Sequence, residues 1–197
     1  MTERSALGEG AGYSLIELTC AMALAATLVG ISIPATRNAL DEIRAAAAAR
    51  DMAARIGLAR LEAARRSSAF AYRFVPAGAD YRFTPHADGN DNGVRTIEIA
   101  DGTDLTLAAA ERLADKHSGV SFGLLAGLPD LDGSPASEEG VRFGSSRILT
   151  LSPDGTATPG TLYVHGSRSQ YAVRVLGATG RTRVFRYDTG LGRWISR

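Results

Sequence analysis

The acid with the clearest chemical consequence is Glu17, which lies just inside an apolar run that extends to Ile33. A charge at the centre of a membrane helix costs about 2.5–3.5 kcal/mol on insertion scales. An acid in this position therefore predicts a function and a partner of opposite charge. About 20 apolar residues cross a bilayer, so the run itself predicts a membrane helix.

Two arginines near the end of the chain, Arg181 and Arg183, have a spacing that suits phosphates. Residues two apart on a strand project from one face roughly 6.6–6.8 Å apart, close to the distance between successive phosphates along a nucleic-acid strand. The charged residues around them are Arg168, Arg174, Arg186, Arg193 and Arg197 against Asp188, and the nearby rings are Phe185, Tyr187 and Trp194. The geometry permits contacts to DNA phosphates; such a patch would give salt-sensitive, sequence-independent binding, with stacking by any exposed ring.

A structural role for the same arginines is the alternative. Lys116 is the only lysine in the chain, so abundant arginine is also explained by coding bias. Phe185 and Tyr187 share a strand face with Arg181 and Arg183, which indicates that this face enters the core towards the chain end.

Three other patterns are weaker. The loop Asp88–Gly93 has the first half of a calcium loop, but Ile99 occupies the twelfth position and Glu98 falls one residue short. Gly119–Gly123, with Ser121 at its centre, fits a nucleophile-elbow pattern, and Asp154 and His165 follow in hydrolase order, but the flanking strand and helix that a hydrolase needs are not predicted. The histidines His86, His117 and His165 lack paired metal spacing. The sequence therefore predicts a turn at Asp88–Gly93 and histidines that are surface or satisfied side chains, with no metal site, no cofactor and no enzymatic activity.

The elements that must position these residues begin with helices. Residues 37–68 are Ala-rich, with Leu40, Ile43, Met52, Ile56 and Leu61 spaced as in an amphipathic helix that continues the membrane helix. The chain has 197 residues, a net charge of +1 and one cysteine, Cys20 within the apolar run. No intramolecular disulfide can form, and one globular domain fits the remaining length.

From Phe70 onwards the pattern changes to period two, which is typical of strands. The predicted strands are Ala71–Val75, Tyr81–Phe83, Thr96–Ile99, Leu105–Leu107, Val141–Phe143, Ile148–Leu151, Thr161–Val164, Tyr171–Val175 and Arg181–Tyr187. Residues 125–140 are rich in Gly, Pro, Ser and acids and predict an exposed loop. The fold class is therefore α+β, with a long helix packed on an antiparallel β-sheet head.

The residues from Gly12 to Leu18 resemble the processing site of type IV prepilins and of the pseudopilins of type II secretion. That resemblance implies cleavage by a prepilin peptidase between Gly12 and Tyr13, and methylation of the new amine of Tyr13. It implies that Glu17 acts in assembly and that Pro34 bends the helix. A secretory signal peptide and a plain membrane anchor are the alternatives.

The expected segments follow from this site: a leader over residues 1–12, a membrane half-helix over 13–34, a periplasmic half-helix over 35–68, and a β-rich head over 69–197. The expected location is the bacterial inner membrane, with the head in the periplasm. The expected partners are the peptidase, other pilin or pseudopilin subunits, the inner-membrane assembly platform and the membrane.

A second resemblance lies near the C-terminal end. Phe143-Gly144, the stretch from Leu151 to Ala157, Gly160–Val164 and Gly180–Val184 are similar to the C-terminal pattern of the GspH/FimT group. The implied function is a minor pilin or pseudopilin of a type II secretion pseudopilus or a type IV pilus. In FimT-like proteins Gly-Arg-x-Arg is associated with DNA uptake, so Arg181 and Arg183 carry a DNA-binding alternative.

Overall fold

The structure, a computed structural model, describes residues 14–134 and 139–197. The leader, Gly12 and Tyr13 lie outside the described residues. The chain divides into two compact units, with the boundary between Ala39 and Leu40. Helix α1 (Leu15–Arg66) contributes to both units and includes Pro34. The predicted bend at Pro34 stays a prediction.

In the first unit, α1 is apolar, and its few hydroxyl side chains form hydrogen bonds within the helix. The hydroxyls of Thr19, Thr27 and Ser32 donate hydrogen bonds to the backbone carbonyls of Ile16, Ala23 and Leu28, at 2.9, 2.8 and 2.7 Å. Polar groups satisfied inside the helix do not need water, which is the condition that hydrocarbon imposes. Among the described residues, α1 is long and apolar enough to cross a membrane.

In the second unit, α1 presents a face of small residues to the sheets. Ala45, Ala48 and Ala49 are fully buried, together with Met52 and Ile56. Short side chains let a helix approach a sheet closely at interior packing density.

The predicted apolar stripe was therefore only half correct. Met52 and Ile56 face the core, whereas Leu40, Ile43 and Leu61 are 42%, 62% and 62% exposed. The rest of the core-facing stripe consists of alanines, whose low hydrophobicity concealed it from the pattern of large residues.

The described strands form two antiparallel sheets. They are β1 (Phe70–Ala77), β2 (Asp80–Ala87), β3 (Leu105–Thr106), β4 (Ser121–Phe122), β5 (Val141–Arg142), β6 (Ile148–Leu151), β7 (Gly160–His165), β8 (Gln170–Val175), β9 (Thr182–Asp188) and β10 (Arg193–Ser196). One sheet has the order β3-β2-β1-β6 and the other the order β10-β9-β8-β7-β4, with β5 also paired to β7. The predicted α+β class is confirmed.

One predicted strand is wrong. Residues 96–99 belong to a short helix, α2 (Thr96–Asp101), which ends at Gly102 in the left-handed conformation with φ of 87°. Thr and Ile favour strands only weakly when no neighbouring strand supplies packing. A second short helix, α3 (Leu113–Lys116), follows β3.

Aromatic rings fill the space between the helix and the sheets. Phe74 lies 5.6 Å from Phe122 and 5.9 Å from Phe143, measured between ring centroids, and Phe83 lies 6.1 Å from Phe122. Rings at these distances add favourable contacts to their large buried area. This cluster and the alanines of α1 belong to the same hydrophobic core.

The segment predicted as an exposed loop is partly fixed to the outer face of the second sheet. The indole N–H of Trp194 donates to the carbonyls of Pro129 and Asp130 at 3.2 and 3.1 Å. The N–H of Leu131 donates to the Tyr163 hydroxyl at 3.0 Å. Asp130 is only 5% exposed and pairs with Arg142 at 2.6 Å. Asp130 is therefore buried, contrary to the prediction of exposure, whereas the Asp132 side chain is 60% exposed as predicted.

Candidate functional site

In the second unit, α1 is bound to the second sheet through Asp41. Its carboxylate accepts the backbone N–H groups of Ser167, Arg168 and Ser169 at 2.5, 3.0 and 3.0 Å, and the Ser169 hydroxyl at 2.7 Å. A Cβ at Gly166 would overlap this carboxylate, so the turn between β7 and β8 depends on a glycine. Burial raises the pKa of Asp41, but the hydrogen bonds from the turn outweigh it and leave the pKa below its ordinary value.

The next residue, Glu42, makes a second contact with the same sheet. The Tyr171 hydroxyl donates to its carboxylate at 2.5 Å, and the Nε of Arg186 lies 3.1 Å away. Burial and the bond to Glu42 raise the pKa of Tyr171 to about 12, so Tyr171 remains a neutral donor at physiological pH. Consecutive acids on α1 thus fix the helix against β7, β8 and β9.

A third contact joins α1 to the turn between β8 and β9. The guanidinium of Arg60 donates to the carbonyl of Thr179 at 2.8 Å. Gly180 has φ of 59°, and a Cβ there would lie 2.9 Å from both Arg60 Cδ and the Gly155 carbonyl oxygen. Glycine is therefore required for its backbone conformation and for the close approach of Arg60.

Arg181 and Arg183 lie beside this contact, and both side chains are exposed. Within the described residues, neither guanidinium has a hydrogen-bond or ion-pair partner. With Arg60 they line a cleft of about 500 Å³ whose other lining residues are neutral. Cations along a cleft without lining carboxylates create a positive local potential that attracts anions.

Two other arginines of the basic tail have ion-pair partners that the sequence did not indicate. Arg174 pairs with Asp132 at 2.6 Å, and Arg186 pairs with Glu42. These acids come from distant parts of the chain, so counting only Asp188 as a local acid was misleading. Arg168, Arg193 and Arg197 remain exposed.

The rings of the tail serve mainly in packing. Phe185 packs on the outer-face cluster of Leu124, Tyr163 and Ala172. Tyr187 and Trp194 lie 5.4 Å apart between ring centroids, and both are half-buried. The strand face that begins with the exposed Arg183 therefore enters a packed cluster, as the structural alternative predicted.

Glu17 lies in the first turn of α1, and its side chain is exposed. The apolar neighbours Leu15, Ile16 and Leu18 are also exposed, at 81%, 70% and 58%. Among the described residues the Glu17 carboxylate has no ion-pair partner. An acid surrounded by apolar surface is the arrangement that a charge from outside the chain would complete.

The weaker sequence patterns act as turns or strand positions. The carboxylate of Asp88 accepts the N–H groups of Asn90 and Gly93 at 3.0 and 2.6 Å. Within residues 14–134 and 139–197, no cluster of His, Cys, Asp and Glu has the geometry for a metal. Ser121 is the register partner of His165, but Asp154 binds Thr156 at 2.7 Å rather than the histidine.

Comparison with known proteins identifies the family. The family model described as type II transport protein GspH matches residues 48–180. No curated protein and no solved structure gives a significant match. Because the match covers more than half of the chain, the chain belongs to the GspH family of pseudopilins, and the predicted GspH/FimT resemblance is confirmed. The match ends at Gly180, so Arg181 and Arg183 lie beyond it and Glu17 precedes it.

Replacing Asp41 by Asn tests the contact between α1 and the turn. We expect the free energy of unfolding at pH 7 to fall by about 1–2 kcal/mol, as for charge-assisted hydrogen bonds at a half-exposed site. Because the pKa of folded Asp41 lies below the ordinary 3.8, its contribution is complete above about pH 5 and is lost as the pH falls through the folded pKa.

Urea unfolding of the full chain in detergent, followed across this pH range, measures the effect. Asp91→Asn is the matched control, because Asp91 is exposed and also has a positive φ, 60°, which Asn tolerates. Equal destabilisation by both substitutions at every pH would contradict the role of Asp41.

Two glycines should respond oppositely to alanine. Gly180→Ala should lower the free energy of unfolding by about 1–3 kcal/mol, since it adds strain at positive φ and displaces Arg60. Gly57 lies inside α1 with nothing within 4 Å of an added Cβ. Gly57→Ala should therefore raise the free energy of unfolding by about 0.5–1 kcal/mol, because alanine has the higher helix propensity. Thermal unfolding of both variants checks the signs; the same sign for both would contradict this account.

Proposed function

We propose that this GspH-family chain is a minor pseudopilin that is cut after Gly12 by a prepilin peptidase, methylated on Tyr13 and assembled into a type II secretion pseudopilus. The cut protein resides in the bacterial inner membrane with its head in the periplasm, and its partners are other subunits and the assembly platform. The chain performs no catalysis of its own.

The observation that carries this proposal is Glu17 in its apolar surroundings. Isolated charges in hydrocarbon are expensive, and an opposite charge offsets the desolvation of each member of a pair. In the proposed assembly, the Glu17 carboxylate pairs with the Tyr13 amine of a neighbouring subunit. The apolar face of α1 around Glu17 then packs against that neighbour.

Glu17→Ala should abolish incorporation into the pseudopilus while membrane insertion is retained, because the pairing charge is lost but the apolar span is kept. The measurement is the amount of the chain in sheared filaments and in the membrane fraction. The control is Thr19→Val, which removes a hydroxyl that bonds only inside the helix. Normal incorporation of the Glu17→Ala protein would overturn the proposed mechanism.

A second candidate function is DNA binding for natural transformation at a type IV pilus. The observation that favours it is the exposure of Arg181 and Arg183 without partners in the described residues, beside Arg60 in a cleft with no acidic lining. Such a site binds phosphates by charge and without regard to base sequence.

Full-length protein in detergent, titrated with duplex DNA over a range of salt, tests this candidate. Loss of two phosphate contacts in Arg181→Ala/Arg183→Ala should reduce the slope of log affinity against log salt by about 1.8. Arg44→Ala/Arg82→Ala removes the same charge from exposed positions outside the cleft and should leave more of the slope. An equal effect of both double variants, or no binding at low salt, would exclude a DNA site at this motif.

A further inference from the structure

The apolar part of α1 is bounded by two charges. Residues 18–36 carry no charged side chain, and Glu17 and Arg37 flank them. As a helix, this stretch is roughly 28 Å long at 1.5 Å per residue. That length matches the hydrocarbon core of a bilayer, which is about 30 Å thick. Because a charged side chain avoids hydrocarbon, Arg37 marks the boundary of the membrane span on the side of the head.

The turn between β7 and β8 is tied to the chain close to this boundary. Asp41, whose carboxylate the turn binds, is the fourth residue after Arg37. Four residues reach at most about 14 Å when fully extended, and about 6 Å along a helix axis. The headgroup layer on each side of a bilayer is about 5–7 Å thick. The covalent chain therefore keeps this turn at or just beyond the headgroups, whatever the orientation of the head.

A second turn lies at the same end of the second sheet. Strand β8 begins at Gln170 and the antiparallel β9 ends at Asp188, so the turn between β7 and β8 and the β9–β10 turn (residues 189–192) share that end. Leu191 in the β9–β10 turn is 59% exposed. Arg168 in the first turn and Arg193 just after the second are exposed as well.

The arginines at this end are unpaired, whereas the acids beside them are bound. Arg44 lies one helical turn after Asp41 and is exposed. Among the described residues, the guanidiniums of Arg44, Arg168 and Arg193 have no hydrogen-bond or ion-pair partner. Asp41 accepts N–H groups of the first turn, and Asp188 accepts the N–H groups of residues 190 and 191 in the second. We call the exposed set the basal surface; it consists of Arg44, Arg168, Leu191 and Arg193.

The basal surface suits an anionic phospholipid headgroup. Guanidinium groups bind phosphate oxygens through paired hydrogen bonds, and an exposed apolar side chain beside them enters the boundary between headgroups and acyl chains. A DNA backbone would meet the arginines but would offer Leu191 no apolar partner. The chain itself, moreover, holds a bilayer next to this surface.

We propose that the basal surface binds anionic phospholipids in the leaflet on the side of the head. This inference rests on the membrane residence put forward under the proposed function. It adds a headgroup contact of the head to the insertion of the span. The contact exists while the subunit resides in the membrane and ends when the subunit leaves it.

The test measures the approach of the basal surface to headgroups, with full-length protein in nanodiscs. Ser167 is exposed in the first turn, so Ser167→Cys in a Cys20→Ala background carries a fluorophore at that place. Lipids with a spin label on the headgroup quench the fluorophore on close approach. One set of nanodiscs contains phosphatidylglycerol mixed with phosphatidylcholine, and the other contains phosphatidylcholine alone.

We expect stronger quenching in the anionic nanodiscs, and a decrease when the salt concentration is raised. Each arginine near an anionic surface strengthens binding roughly fivefold, so Arg168→Ala/Arg193→Ala should lower the ratio of bound to free heads roughly 25-fold. Quenching should then fall to its level in phosphatidylcholine. Arg82→Ala/Arg95→Ala removes the same charge from exposed positions outside the basal surface and should leave quenching unchanged. Thermal unfolding verifies that every variant is folded.

Two results at position 167 would overturn the proposal. One is equal quenching in both lipids that the arginine substitutions leave unchanged, since the approach would then follow from the reach of the chain alone. The other is no quenching in either lipid.

A fluorophore on the native Cys20, with spin labels on the acyl chains, reports insertion of the span separately. If Cys20 is quenched while position 167 gives either of those results, the headgroup contact fails and the proposed membrane residence stands. If Cys20 is not quenched, the membrane residence itself is wrong, and the headgroup contact fails with it.

Discussion

The position of α1 on the second sheet depends on the carboxylate of Asp41, which is held in the turn between β7 and β8. The turn supplies backbone N–H groups that have no partner of their own, and α1 supplies the negative charge that satisfies them. Glu42 on the same helix, and Arg60 further along it, extend this polar contact over the length of the second sheet. Because these bonds are directional, they fix the rotation of α1 about its axis and its position along that axis. Alanine packing alone would leave both poorly defined.

That fixed rotation explains the surface chemistry of the helix. With the alanine face against the core, the larger side chains Ile43 and Leu61 and the base Arg50 necessarily point outwards. An amphipathic helix normally buries its large residues. Here Met52 and Ile56 are buried, but alanines fill much of the core-facing stripe, so Ile43, Leu61 and several arginines remain on the exterior of α1.

How much could be predicted from the sequence depended on whether the signal was local. The long helix, most strands and the fold class followed from periodicity, and the family followed from short motifs. The ion pairs Arg174 to Asp132 and Arg186 to Glu42 join residues far apart in sequence, so a count of nearby charges overstated how basic the tail is. The helical state of residues 96–99 and the burial of Asp130 depend on surrounding loops, which carry no periodic signal. The exposure of Arg181 and Arg183 could not be predicted either, because the sequence pattern allowed their strand face to lie in solvent or in the core.

The packing of Trp194 gives this molecule a built-in optical reporter. It is the single tryptophan of the chain, and it lies between Tyr163 and Tyr187 with its N–H on loop carbonyls, on the side of the second sheet away from the main core. Its emission therefore reports the outer-face cluster, whereas far-ultraviolet circular dichroism is dominated by α1. Recorded together, the two signals distinguish release of the loop and terminal strand from loss of the helix, without any added label.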